Sequence, residues 1–139
     1  MNYIKKLREV KPLVHNITNY VTVNDVANAI LAIGGSPIMS DEITEVAQMT
    51  SISNALNINI GTLNQVKIAS MFEAGKASNA CKHITVLDPV GAGATDLRTN
   101  TCKGLLAQIH FDAIKGNVSE IKTLMAGTAI RVLSCFISQ

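Results

Sequence analysis

What most constrains this chain is one pattern repeated four times. A strand-length apolar or β-branched run is closed by a polar or glycine-containing turn, and a helical pattern follows. The runs are residues 36–39, 55–60, 84–88 and 112–115, and the turns closing them are Met39-Ser40, Gly61-Thr62, Asp88-Pro89-Val90-Gly91 and Lys115-Gly116-Asn117. Apolar spacing and capping residues predict helices over 20–33, 43–53, 64–80, 98–110 and 118–125, and a short polar helix over 2–9 that Pro12 stops. Residues 12–19 read as an extended or looped polar segment, and 36–39 as a short buried strand. Strands alternating with helices in this way define βαβ units and a parallel sheet. Right-handed crossovers put helices on both faces of it. No repeat, linker or low-complexity run divides the 139 residues, a length that suits one domain.

In an open α/β sheet, ligands bind outside the carboxyl ends of the strands, so the four turns form a candidate cleft. The run at 84–88 ends in a carboxylate, Asp88, and then turns through Pro89, Gly91 and Gly93. Glycines let a ligand approach the backbone, whose N–H groups can face an anion. One reading is a phosphate or metal–phosphate site with Asp88 as its acid. The other is a tight strand-to-helix turn that Asp88 caps or solvates. The loop lacks the third glycine of a dinucleotide fingerprint and the Lys-Ser/Thr of a P-loop, which disfavours both of those classes. At Asn117-Val118-Ser119-Glu120, Asn117 can cap the next helix and Glu120 completes a capping-box-like pattern. The functional alternative joins Glu120 to Asp88 to hold Mg²⁺, directly or through water, with Lys115 offsetting phosphate charge. In the second run, Leu56, Ile58 and Ile60 point one way, and Asn57 and Asn59 the other. A strand buried on both faces is nearly all apolar, so these two Asn need partners or line a wet cleft. Met39, at a strand end, reads as core on its own.

Composition narrows the classes. Aromatics are 4% with no Trp, and the net charge is only +2, which argues against single-strand stacking and DNA binding. Three cysteines in no CxxC pair fit a reducing, cytoplasmic compartment. No stretch has the length of a membrane span or the look of a signal peptide. His15, His83 and His110 have no metal-ligand spacing, so they read as surface or partly buried residues and a zinc site is disfavoured.

Five collinear segments carry a resemblance. They are residues 12–19 (PLVHNITN), 35–40 (GSPIMS), 59–63 (NIGTL), 88–95 (DPVGAGAT) and 114–120 (IKGNVSE). Their order and spacing are similar to those of hydroxyethylthiazole kinases, the thiamine-salvage members of the ribokinase-like superfamily, over about residues 1–125. The resemblance implies a three-layer α/β/α fold with a mainly parallel sheet, incomplete here. It implies ATP-dependent phosphorylation of the primary alcohol of 4-methyl-5-(2-hydroxyethyl)thiazole with Mg²⁺, by a cytoplasmic homotrimer with sites between subunits. On that basis Met39 and Asn19 match thiazole-side positions, Lys115 an ATP-contacting basic position, and Asp88 and Glu120 magnesium-linked carboxylates. For Met39 this reverses the core reading.

The chain also departs from the family. Gly35 stands for the usual Ala, and Asn57 for an aliphatic residue whose place it could fill only at a cost of about 1–3 kcal/mol if left buried and unpaired. The Gly-Ala-Gly-Cys/Asp turn that forms the family's anion hole and supplies its catalytic residue is absent, as is a Thr-Gly segment for ATP. Residues 127–139 read as a divergent apolar tail after a kinase portion at 1–126. The expectation is a kinase fragment of impaired activity. The alternative is a non-catalytic fragment that binds the small ligand or co-assembles with an intact protomer. A sugar or pyrimidine kinase of the same superfamily fits the segments at 12–19 and 35–40 less well.

Overall fold

The computed structural model describes residues 2–126 and the backbone of 135–137. The chain runs α1 (Tyr3–Val10), β1 (Leu13–Ile17), α2 (Val23–Ile33), β2 (Ser36–Met39), α3 (Val46–Ile52), β3 (Ala55–Asn59), α4 (Gln65–Cys81), β4 (Ile84–Asp88), α5 (Asp96–Gln108), β5 (Ala113–Gly116), α6 (Val118–Met125) and β6 (Cys135–Ile137). The strands form one sheet in the order β2-β1-β3-β4-β5-β6, with every neighbouring pair parallel.

Helices α4, α5 and α6 begin where side chains satisfy their free N–H groups. Asn64, Thr95 and Asn117 accept from the backbone N–H of Lys67, Arg98 and Glu120 respectively. Helix α3 starts at Val46 rather than at 43. Asp41 and Glu42, the acids that the sequence places at the opening of this helix, lie in the loop before it, where Glu42 accepts from the Thr44 N–H and Glu45 accepts from the Ser40 hydroxyl.

The segment 12–19, read from sequence as extended or looped, contains an interior strand. Polar residues disguise β1, because their polar groups are paired inside the sheet. His15 is fully buried, beyond the surface or partly buried position its isolation in sequence suggested. Its Nε2–H donates to the Ser40 carbonyl at 2.9 Å, so Nδ1 is the acceptor and takes the Thr50 hydroxyl at 2.8 Å. Burial lowers the pKa of His15 below its ordinary value, against weaker opposition from the Ser40 bond and Glu45. Asn16 donates to the Val14 carbonyl and accepts from Asn57 Nδ2 at 3.2 Å. Asn57 is therefore paired, and the family's aliphatic residue is replaced by half of an Asn–Asn bridge.

One core serves the molecule. Ile17, Leu56, Ile58 and Leu87 from the sheet meet Val46, Met71, Ala74, Cys102, Leu105 and Leu124 from helices α3 to α6. Helices α1 and α2 bury no residue, although α2 carries the expected apolar stripe. Strand β2, read as buried, is a half-exposed edge, and Met39 is 36% exposed. On β3 and β4 the alternate residues Ala55, Asn57, Val86 and Asp88 are half-buried, and Ile84 is 56% exposed. Among the described residues, that second sheet face is lightly covered. The tail expected at 127–139 lies outside the described residues except for the backbone of β6.

Candidate active site

After β1 the chain adds β2 on one side and every later strand on the other. The reversal opens a crevice between the carboxyl ends of β1 and β3, where ligands bind in sheets of this kind. Sequence-predicted residues meet there. Asn19 Nδ2 donates to Asn59 Oδ1 at 3.1 Å, and Asn59 Nδ2 donates to Asp88 Oδ2 at 2.8 Å. The direction of this chain is dictated by the backbone. The N–H of Gly61 donates to Asn59 Oδ1, and the N–H groups of Val21 and Thr22 donate to Asn19 Oδ1. Each amide oxygen is thus an acceptor, each amide nitrogen faces the next residue, and Asp88 receives a donor.

Burial raises the pKa of Asp88 above its ordinary value. The Lys115 charge and the Asn59 bond pull it back, and the Glu120 carboxylate pushes it up again. Lys115 follows from the register: Leu87 pairs with Ile114, so the next residues are Asp88 and Lys115. Asp88 Oδ1 has no hydrogen-bond partner among the described residues.

Glu120 does two jobs. Its Oε2 accepts from the Asn117 N–H at 2.8 Å, completing a capping box, while its Oε1 accepts from the Gly91 N–H at 2.8 Å. The structural reading of this residue is therefore observed, and its carboxylate is held beside Asp88's loop by two backbone donors.

The glycine loop is a turn. Gly91 and Gly93 have φ of +74° and +93°, which side chains disfavour, and a Cβ on Gly93 would come within 2.6 Å of the Thr123 hydroxyl. From Gly91 to Ala94 every N–H is used, by Glu120, the Pro89 carbonyl, the Thr99 hydroxyl and the Gly91 carbonyl in turn. No donor in that run is left for an anion, so the phosphate-cradle reading gives way to the turn reading.

Sequence reasoning missed Arg98. Its guanidinium donates to the carbonyls of Ile60, Gly61 and Val90 at 3.1, 2.7 and 2.7 Å, tying the turn after β3 to the turn after β4. A helix-start Arg beside two glycine turns was the available signal. Cys102, buried nearby, has its thiol pushed up to about 12, first by burial and then by Glu120, so it is a core residue rather than a nucleophile.

At the other end of the edge, a cavity of about 150 Å³ is lined by Asn16, Thr18, Tyr20, Val23, Met39, Ser40 and Asp41. Asn19 is next to this cavity in sequence but outside its lining, since its side chain is committed to the Asn59 chain. The buried hydroxyl of Thr18 has no partner among the described residues. Lys67, not singled out by sequence, is 2% exposed behind this cavity.

The fold and edge define an open, parallel α/β domain with a candidate cleft at its switch point, flanked by two acids and a lysine on neighbouring strand ends. The chain belongs to the hydroxyethylthiazole kinase family, whose model matches residues 4–132. It is 56% identical over 127 residues to the hydroxyethylthiazole kinase of Clostridium acetobutylicum, covering 91% of this chain and 46% of that protein. It is 55% identical over 123 residues to that of Clostridium tetani, covering 88% and 45%. The solved structure of the hydroxyethylthiazole kinase protein from Pyrococcus horikoshii OT3 superposes with a TM-score of 0.86 at 44% identity, covering 91% of this chain and 51% of that one. The chain thus spans about half the length of the relatives it matches.

Proposed function

We propose that this chain supplies the thiazole-side cavity and the metal-linked acids of an ATP-dependent kinase acting on the hydroxyl of 4-methyl-5-(2-hydroxyethyl)thiazole. The observation that carries the reading is the Asn19–Asn59–Asp88 chain, which links the switch point to the acid pair while Met39 lines a cavity on the same edge. Met39 forms part of the wall for the ring, and Asn19 fixes the loop beside it. Lys115 meets ATP phosphates.

The acids suit Mg²⁺. Among the described residues no three His, Cys, Asp or Glu side chains gather for a metal, but Mg²⁺ takes one or two carboxylates and keeps several waters. Asp88 offers an oxygen without a protein donor. Glu120, with both oxygens on backbone N–H groups, serves through its remaining lone pairs or through water. When bound, the ion offsets charge on the phosphate oxygens. The protein's part is to hold Asp88 in place through Asn59, to keep Lys115 beside it and to limit water around the ring. Homotrimeric assembly and a cytoplasmic location belong to the same reading. No helix among the described residues is long and apolar enough to cross a membrane.

The 139 residues contain no Gly-Ala-Gly-Cys/Asp turn. One oxyanion donor of that kind is worth roughly 2.7–4 kcal/mol where it was removed from an enzyme, so this chain alone should show little turnover. The lightly covered second sheet face favours a second reading, co-assembly with an intact protomer. Calorimetric titration with the thiazole alcohol, alone and mixed with a full-length relative, tests both. Heat from the chain alone upholds the cavity, and heat gained only in the mixture upholds co-assembly. No heat in either experiment overturns the function, and normal kinase turnover by the chain alone overturns the impairment.

A further inference from the structure

Lys67 breaks two rules at once. It is the third residue of α4 and so a cation in the first turn of a helix, where the dipole disfavours positive charge. It is also 2% exposed, although lysine is almost never fully buried unless paired. A residue that violates local preferences is expected at a functional or strained position.

Its partners are all on the edge just described. Nζ donates to the Thr18 carbonyl at 2.7 Å, pairs with Asp41 Oδ2 at 3.3 Å and lies 4.0 Å from the Tyr20 ring centroid. Thr18, Tyr20 and Asp41 all line the Met39 cavity. Tyr20, Asp41 and Lys67 itself also line a second cleft of about 380 Å³. A neighbouring α4 residue, Ser70, donates to the Asp41 carbonyl at 2.8 Å, so the same helix grips that loop twice. One ammonium therefore ties the loop after β1 to the loop after β2. It also balances Asp41, a carboxylate that would otherwise face the cavity alone.

We infer that Lys67 is a positioning residue that keeps this cavity in shape and electrically neutral, and so sets it for an uncharged ring rather than a cation. The inference rests on the reading of the cavity as the thiazole site. A cavity wall with an unbalanced carboxylate attracts a cationic ring, and one with an unbalanced ammonium repels it.

The test is calorimetric titration of the 139-residue chain with the uncharged thiazole alcohol and with its N-methylthiazolium. The chain should prefer the uncharged ring. Lys67→Met should shift the ratio of affinities toward the thiazolium by about tenfold, and adding Asp41→Asn should bring it back. Asp41→Asn alone, which leaves the buried ammonium unbalanced, should shift the ratio the other way, and it decides the matter if Lys67→Met does not fold. A ratio unchanged within about twofold in these variants overturns the inference. If neither ring binds the unaltered chain, the reading of the cavity as the thiazole site fails by itself, and amide exchange decides about Lys67. Exchange at residues 18–22 and 40–44 that is about tenfold faster in Lys67→Met upholds the positioning role, and unchanged exchange overturns it.

Discussion

The two ends of the strand edge are built by different means. At the Asp88 end, Ala92 and Ala94 bond to carbonyls within the turn, Gly93 reaches Thr99 six residues away and Glu120 reaches the Asn117 N–H three residues away. The Glu120–Gly91 and Asn59–Asp88 bonds each span 29 positions. At the Met39 end, the defining bonds join residues far apart in sequence. His15 to Ser40 spans 25 positions, Asn57 to Asn16 spans 41 and Lys67 to Thr18 spans 49. The acid end thus combines local turn and cap bonds with long-range ties from Asn59, Glu120 and Arg98. The cavity end is assembled only when the sheet forms, and it leaves Tyr20 64% exposed. A loop satisfied locally can keep its geometry while ligands change, whereas a cavity held by long-range side-chain bonds takes its shape from the packing around it.

Substitutions at three positions break or sharpen this contrast, beginning with the largest effect. Glu120→Ala removes the acceptor of two backbone N–H groups on a residue only 8% exposed, and should cost about 3 kcal/mol by urea denaturation. Glu120→Gln, which keeps one acceptor oxygen, should cost less. Equal losses for the two would mean that the charge, rather than the two backbone bonds, holds the acid end.

His15→Leu strands the Thr50 hydroxyl and the Ser40 carbonyl and should cost about 2 kcal/mol at pH 8. It should also flatten the acid limb of the stability curve. The folded-state pKa of His15 is lowered, so the unfolded chain binds the proton more readily. The stability that His15 contributes is present above about 6.5 and is lost as pH falls through the folded value. Asp88, whose pKa is raised, acts in the opposite sense: its contribution is present below about 3.8 and is lost as pH rises through its folded value. An acid limb as steep in His15→Leu as in the unaltered chain would remove His15 as its source.

The smallest effect is expected for Asn57→Val. Asn16 keeps its bonds to the carbonyls of Val14 and Ile38, and only its Oδ1 loses a partner, so the change should stay within about 1 kcal/mol. Thermal unfolding that shows a larger loss would make the Asn–Asn bridge a structural element of the cavity end.

The same contrast explains what could be read in advance. Strands β3 and β4 were legible because Leu56, Ile58 and Leu87 are apolar, as buried residues should be. Helix α6 and its capping box were legible because both partners lie within one turn. Strand β1 was hidden, since His15 and Asn16 look like loop residues until Ser40, Thr50 and Asn57 arrive to pair them. The exposure of β2 was hidden for a related reason: an edge strand and an interior one have the same short apolar run. At the site, Asp88, Glu120, Lys115, Met39 and Asn19 were named from motifs, and the structure brings the first three together. It places Met39 on a cavity and Asn19 beside that cavity in the amide chain. Lys67 and Arg98 carried no motif, because Arg98 works through carbonyls that any sequence would supply and the partners of Lys67, Thr18, Tyr20 and Asp41, are distant in sequence.

By itself the sequence determined the alternation of strands and helices, the family, the capping box at Asn117 and the glycines that permit a turn at 91 and 93. These depend on periodicity, on φ and on hydrogen bonds that close within a few residues. Only the tertiary structure decided that Asn59 points its amide at Asp88, that Glu120 divides its oxygens between a cap and a loop, and that a lysine lies buried behind the Met39 cavity. Those arrangements depend on which donors remain unsatisfied after the sheet is paired, and pairing is a property of the assembled strands rather than of any one segment.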